Sequence, residues 1–469
     1  MASAVVPHPR SHAPRPPAAD AIRSIGHDLA AAMDRRRPLR TRADDALMRR
    51  LTADPQVKAA LFRLVDVRPA CADAEDLGRH LAGLLDEVTL RDGPRGAAVT
   101  AAQRVAEGRF SARAAGHLLA TGVGQMAGRF IVGADAASSV PALRRLWKDG
   151  VSTTVDLLGE ATVTAAEADA YAQRCAEALD VLCAAAATWP AGGILERDGV
   201  GPLPRVNLSV KVSALTPHLR PDAPERGIAD ATTRLRPLLR RARDLGAHLH
   251  VDMESLDDRD AVLETALRLL AEPEFRDGPS AGIVLQAYLK ESPRHLEAIL
   301  DRAREAGRSV PLTVRLVKGA YWDHELVHAQ QVGWPVPVWE DRAACDRCFE
   351  QLTRRLLGVA RTPDTPNAPL VRPAIASHNL RSVAHALAVQ DELGLAPGDV
   401  EYQVLRGLGD DLQGALADRG VRVRTYCPVG DLVAGMAYLV RRLLENSSND
   451  SFLSARAAGA ELDDLLRAP

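Results

Sequence analysis

Two adjacent arginines lie near the C-terminal end of the chain, in the run Tyr438-Leu-Val-Arg441-Arg442-Leu-Leu-Glu445. The run is helix-forming, and at helical spacing Tyr438, Arg441, Arg442 and Glu445 cluster toward one side. Paired planar guanidiniums suit an anion, and a carboxylate matches their fork geometry bidentately. The chemistry implied is capture of a small acid. The competing reading of the same run is a solvated basic face, with Glu445 four positions from Arg441 in a weak ion pair. A second candidate, Cys345-Asp-Arg-Cys348, has the spacing of a metal or redox pair. It sits in a helical pattern with no second Cys or His pair nearby, so no metal site is expected.

Composition narrows the setting for that chemistry. The chain has 469 residues, 46% of them hydrophobic, with a formal net charge of -2. It is long enough for a large core and reads as globular, with more than one unit expected. Nucleic-acid binding needs a basic excess that is missing here, so no nucleic-acid partner is expected. No apolar run reaches membrane-spanning length, and the N-terminus lacks the layout of a secretory signal, which together point to the cytoplasm. The six cysteines are too few and too scattered for a disulfide framework.

Residues 1–20, rich in Pro and Ala, are expected to be a disordered tail. From residue 21 to 149 apolar residues recur at three- and four-residue intervals, as in Ala59-Ala60-Leu61-Phe62-Arg63-Leu64-Val65. That spacing predicts an all-helical arm, suited to dimerisation or capping. Residues 150–456 change texture, with short β-branched runs alternating with longer helical patterns, before a C-terminal tail over 457–469. Eight such runs are visible: Val151 to Leu157, Arg205 to Val212, Ala247 to Met253, Gly282 to Tyr288, Leu312 to Val317, Arg372 to Ser377, Val400 to Leu405 and Val421 to Tyr426. The alternation predicts an α/β fold, a (β/α)8 barrel, with its active site at the C-terminal strand ends. Those ends present Asp156, Lys211, Asp252 with Glu254, Gln286, Arg315 with Lys318, Ser377-His378-Asn379, Gln403 and Tyr426. Packing alone does not ask for a polar side chain at nearly every exit. The double-arginine helix follows the eighth strand, where it can fold over the barrel mouth.

Four motifs then converge on one family. Ser209-Val-Lys211-Val-Ser-Ala-Leu, Val314-Arg315-Leu-Val-Lys318-Gly-Ala-Tyr321-Trp322-Asp323, Tyr426-Cys-Pro-Val-Gly430 and Tyr438-Leu-Val-Arg441-Arg442-Leu-Leu-Glu445-Asn446 together resemble the proline dehydrogenase domain of the proline utilization A flavoenzymes. Part of the helical arm, Phe62-Arg-Leu-Val-Asp66-Val-Arg-Pro, is similar as well. The resemblance implies a distorted barrel and FAD-dependent oxidation of L-proline to 1-pyrroline-5-carboxylate, the first step of proline catabolism, with hydride passing to flavin N5 and then to a quinone. It implies that Arg441, Arg442 and Lys211 hold the proline carboxylate, that Glu445, Asp156 and Glu160 orient the arginines, and that Asp252 lies beside the ring nitrogen. Tyr321, Leu405, Tyr426 and Tyr438 resemble the walls around the pyrrolidine ring. For the flavin, Arg315 resembles the residue at the N5 edge, Gln286 that at the pyrimidine end and Trp322 the adenine platform. Lys318, Ser377 and His378 resemble phosphate and ribose contacts, and Val317, Gly319 and Asn379 complete the cofactor set.

The residue chemistry agrees with those roles, since protein side chains cannot accept a hydride and a flavin must carry that step. Departures are also visible. Asp252-Met-Glu254-Ser255 keeps one glutamate where the family often has two in succession, and Val404 and Arg406 replace a more usual Arg and His. Ser377 stands where threonine is common. The chain stops soon after Phe452, with no aldehyde dehydrogenase motif in view, so it is expected to match the first half of those proteins. Implied partners are L-proline, a quinone acceptor, a separate pyrroline-5-carboxylate dehydrogenase, a transient membrane contact and a homo-oligomeric copy. Hydroxyproline oxidation, which the bulk of Tyr426 disfavours, and a silent flavin sensor, which the intact charged set disfavours, are the alternatives.

Overall fold

The β-branched runs become eight parallel strands that close on themselves in chain order, each hydrogen-bonded to the next and the last to the first. They are β1 (Ser152–Leu157), β2 (Asn207–Val210), β3 (His248–Val251), β4 (Ser280–Gln286), β5 (Leu312–Val317), β6 (Val371–Ala376), β7 (Glu401–Leu405) and β8 (Arg422–Val429). The molecule is a computed structural model, which describes residues 18–36, 70–88, 128–159, 161–360, 370–431 and 459–469, with positions 56, 59, 60, 63, 67, 435 and 455 between them. The closed (β/α)8 architecture expected from the alternation is present. Strand β8 runs three residues past the predicted end at Tyr426, because Cys427, Pro428 and Val429 pair with Val155, Asp156 and Leu157 of β1.

Helices on the outside return the chain from each strand to the next. Among them Ala165–Ala186 opens with a capping box, Thr164 accepting from Glu167 while the Glu167 carboxylate reaches back to the Thr164 backbone. Pro224–Leu245 and Ser292–Ala306 each end at a left-handed glycine, Gly246 and Gly307, where a Cβ would be strained. Their apolar stripes meet the outward residues of the strands in one core cluster. The helix Ala19–Arg36 belongs to that cluster too, burying Ile22, Ile25, Leu29, Ala30 and Met33. It lies against the helices Leu380–Glu392 and Asp410–Asp418, and each such leucine adds about 1.5 to 3 kcal/mol of burial energy. Leu466 seats over Gly26 of this helix, where a Cβ would come within 2.4 Å of the leucine Cδ2. No helix among the described residues is long and apolar enough to cross a membrane.

The barrel interior is layered by register. Ser209 stands beside Asp156 on one side and His250 on the other. His250 fits only because its neighbour on β4 is Gly282, where a Cβ would lie 2.4 Å from the imidazole Nδ1. Lower in the barrel, Arg372 donates to both oxygens of Asp198 at 2.6 and 3.2 Å, Arg424 donates to Glu401 at 2.8 Å, and Arg422 lies between the two acids. Gln403, expected at the mouth, belongs to this floor instead. It lies two residues before the end of β7 and shares a strand face with Glu401, to which it donates at 2.6 Å.

Candidate active site

Asp252, one residue past the end of β3 and 8% exposed, is the hub of the barrel mouth. Its Oδ1 accepts from Ser209 Oγ of β2 at 2.9 Å and from Arg315 Nη1 of β5 at 2.7 Å. Its Oδ2 accepts from the Tyr426 hydroxyl of β8 at 2.6 Å, with Lys211 Nζ 3.7 Å away. Lys211, just past β2, also donates to Asp156 of β1. The Arg315 guanidinium stands 5.3 Å from the centroid of the Tyr426 ring. Five strands therefore deliver one interlocked group.

Electrostatics fixes the protonation of its members. Burial by itself would lower the Lys211 ammonium, but the carboxylates of Asp156 and Asp252 outweigh it and raise the pKa. Burial, then Asp156 and Asp252, pushes the Tyr426 phenol far up, so it stays a donor. Glu254, two residues past Asp252, is also pushed up by burial and accepts from Ser213 Oγ. Lys211, held cationic beside the Arg315 guanidinium, can orient an anionic ligand.

A second band of residues crosses the exits of β4, β5 and β6. Gln286, the last residue of β4, donates through Nε2 to the Glu254 carbonyl at 2.9 Å. That bond fixes its amide, and the opposite atom, Oε1, is buried with no partner among the described residues. Arg315 Nε is another buried atom without one. Val317 ends β5, and Lys318 pairs with Asp346 and lies 5.8 Å from the Phe349 ring centroid. Gly319 follows at φ 127°, where a Cβ would fall 2.3 Å from the Tyr288 ring. Trp322 donates to the Trp339 carbonyl at 2.7 Å and packs with Tyr321 against Tyr288, Leu289 and Val338. After β6, Ser377 Oγ accepts from the Asn379 amide at 3.1 Å, and Asn379 caps the helix Leu380–Glu392 by accepting from Ser382 at 3.1 Å. His378 Nε2 accepts from the Leu405 amide at 2.8 Å, which leaves the proton of a neutral ring on Nδ1.

The structure thus brings Asp156, Lys211, Asp252, Arg315 and Tyr426 together and sets Gln286, Val317, Lys318, Gly319, Tyr321, Trp322, Ser377, His378, Asn379 and Leu405 on neighbouring exits. Tyr438, Arg441, Arg442, Glu445 and Glu160 lie outside the described residues. Reading the sequence for charged exits overlooked Ser209, Asp346 and Trp339. Ser209 had a signal, since it alternates with Lys211 in a quoted motif, whereas a carbonyl partner such as that of Trp339 leaves none. Among the described residues, Cys71, Asp76 and His80 bring metal-capable atoms within 4.8 Å of one another. Both Asp76 oxygens already serve elsewhere, accepting from the Ala72 amide at 3.1 Å and from Arg79 at 3.0 Å.

Fold and mouth together define a (β/α)8 protein with a buried cluster of paired cations and carboxylates at its strand exits. The proline dehydrogenase profile matches residues 139–455, and that of the proline utilization A N-terminal domain matches residues 19–130. The chain belongs to the proline dehydrogenase family. It is 34% identical over 354 residues to the bifunctional protein PutA of Salmonella typhimurium, covering 73% of this chain and 25% of that protein. The PutA of Rhizobium meliloti is 31% identical over 447 residues, covering 92% of this chain and 33% of its own length. A crystal structure of proline utilization A from Bdellovibrio bacteriovorus, inactivated by N-propargylglycine, superposes with a TM-score of 0.84 at 32% identity, covering 96% of this chain and 44% of that one. The chain spans between a quarter and a third of those two curated relatives.

Proposed function

We propose that the protein oxidises L-proline to 1-pyrroline-5-carboxylate with bound FAD and passes the electrons to a quinone. The observation that carries this reading is the Asp252 hub beside two unmatched buried atoms, the acceptor Gln286 Oε1 on β4 and the donor Arg315 Nε on β5. An acceptor and a donor facing one planar ligand fit the edge of a heterocycle that carries both groups. Gln286 and Arg315 hold the ring system, Lys318 and the Ser377–Asn379 turn the phosphates and ribose, and Trp322 the adenine. Bound FAD supplies the hydride acceptor that no side chain provides.

Lys211, with Arg441 and Arg442, grips the proline carboxylate. Asp156 keeps Lys211 charged, while Glu160 and Glu445 orient the arginines. Asp252 stands by the ring nitrogen, and Tyr426, Tyr321, Leu405 and Tyr438 wall the ring, so the substrate is held by both ends in a reactive pose. The helical segment before β1 caps the barrel or joins two copies, and the product passes to a pyrroline-5-carboxylate dehydrogenase on another polypeptide or another segment. The enzyme works in the cytoplasm and meets the membrane peripherally to reach its quinone. Purified protein supplied with FAD should show a flavin absorbance band that bleaches on anaerobic addition of L-proline. A band that persists under excess proline would sink the proposal.

A further inference from the structure

Among the described residues, one buried carboxyl group lies outside both the hub and the floor. Glu325, on the helix Trp322–Val332, is 3% exposed and lies near the buried Tyr288, on which both it and Arg259 act electrostatically. Its Oε1 accepts from the Leu256 backbone amide at 2.8 Å, a contact spanning 69 residues. Leu256 is the first residue of the helix Leu256–Leu270, and the residue before it, Ser255, turns its hydroxyl to Asp258 at 3.0 Å and makes no capping bond to the helix backbone. Glu325 therefore supplies from another element the acceptor that a helix N-terminus needs. A charge is costly to bury, and a helix start can be capped by a local serine, so a distant acid at this place asks for a further reason.

Connectivity gives the reason. Leu256 closes the loop that begins at Asp252, and within that loop the Glu254 carbonyl accepts from Gln286 Nε2 at 2.9 Å. On the other side, Glu325 stands one helical turn from Trp322, which is itself pinned to the Trp339 carbonyl at 2.7 Å. A continuous path thus runs from Trp322 through Glu325, the Leu256 amide and the Glu254 carbonyl to the Gln286 amide. We propose that Glu325 is a positioning residue that ties the loop after β3 to the helix after β5, and so sets the two ends of a bound dinucleotide relative to each other. This rests on the FAD reading above, in which Gln286 and Trp322 hold opposite ends of the cofactor.

The test is FAD retention, measured by dialysis and flavin fluorescence on the full chain. Glu325→Gln keeps an acceptor for the Leu256 amide and should retain FAD as wild type does. Glu325→Ala, and Glu325→Asp, which keeps the charge but falls one methylene short, should each weaken FAD binding by about tenfold, the effect of losing one buried hydrogen bond. If the alanine variant does not fold, the aspartate variant carries the comparison with glutamine. A role confined to folding would make the affinity losses of Glu325→Asp and Gln286→Ala additive in the double variant. The path predicts less than additive losses, because both act on the same amide. Wild-type protein that takes up no FAD would overturn the flavin reading and this inference together. Wild type that binds FAD while Glu325→Asp retains it equally well, or additive losses in the double variant, would overturn this inference alone.

Discussion

The mouth and the floor of the barrel are both buried networks of acids and bases on the same strands, yet they are built to different plans. At the floor Asp198 receives two bonds from Arg372, at 2.6 and 3.2 Å, as well as the Val200 and Gly201 amides at 3.0 Å each. Arg424 is satisfied on both sides, by Glu401 at 2.8 Å and the Thr153 carbonyl at 2.7 Å. The two histidines beside it are kept neutral, His248 being pushed down to about 3 by burial and the nearby Arg424. At the mouth two contacts are long, Lys211 3.7 Å from Asp252 and Arg315 Nη2 3.5 Å from Ser209, and Asp252 spreads its bonds over three donors with the lysine beside them. Unmatched atoms occur in both networks, Arg422 Nε and Nη1 at the floor and Arg315 Nε with Gln286 Oε1 at the mouth, but only those at the mouth stand beside the strand exits, where this fold binds its ligands. On the reading proposed above, the floor serves stability and the mouth serves binding.

The sharpest way to break that division is at Glu401. Replacing it with alanine leaves Arg424 buried without its carboxylate and Arg422 with Asp198 alone at 3.5 Å, and removing one partner of a buried pair costs roughly 3 to 5 kcal/mol. Urea denaturation should show that loss with no effect specific to flavin, and a midpoint near that of wild type would refute the stabilising role of the floor.

Acid tests the same residue without mutation. Burial opposes the charged form of Glu401, but Arg424 and Arg422 prevail and bring it down from 4.5 to about 2. A depressed carboxylate contributes its stability above the unfolded value and loses it as pH falls toward the folded one. The network should therefore give up about 3 kcal/mol between roughly pH 4.5 and 2. Stability curves for wild type and Glu401→Gln that fall in parallel over that window would contradict this.

At the mouth the balance should reverse. Arg315→Met leaves Asp252 two other donors and the Lys211 ammonium 3.7 Å away, so it should cost only about 1 to 2 kcal/mol of stability. Flavin reduction by proline should nevertheless slow strongly, since a cation beside the developing charge is lost. Stopped-flow rates equal to wild type would take Arg315 out of the site. The smallest effect is expected at Tyr426. Tyr426→Phe removes one bond to Asp252, worth about 1 kcal/mol, and keeps the ring wall. Tyr426→Ser removes the wall as well, so it should narrow the preference for proline over 4-hydroxyproline more than the phenylalanine variant does. Equal specificity ratios in steady-state kinetics of both variants would mean that the ring is not the wall.

Much of the barrel and its mouth was legible in residue order. Period and composition locate β5 at Leu312 to Val317 without error, and charged residues at strand exits pick out Lys211, Asp252 and Arg315, because a polar group where packing wants an apolar one is a local anomaly. The same argument misplaced Gln403, since an interior polar layer breaks the assumption that buried strand faces are apolar. Ser209, an ordinary small residue in a strand, becomes visible only when β2 and β3 are in register and its hydroxyl reaches Asp252.

What the sequence by itself determined is the set of elements and the kinds of side chain offered at their ends, both of which are local properties written in spacing. Only the tertiary structure decided which of those groups meet. Closure of the sheet brings β8 against β1 and thereby sets Tyr426 on Asp252, a bond between residues 174 positions apart. Glu325 shows the same limit from the other side. On a helix drawn alone it is one more acid in the first turn, and it becomes a buried tie only because the chain folds Leu256 back onto it. Long-range pairs of this kind depend on where the whole barrel places two backbones, and no pattern within a short window of residues encodes that distance.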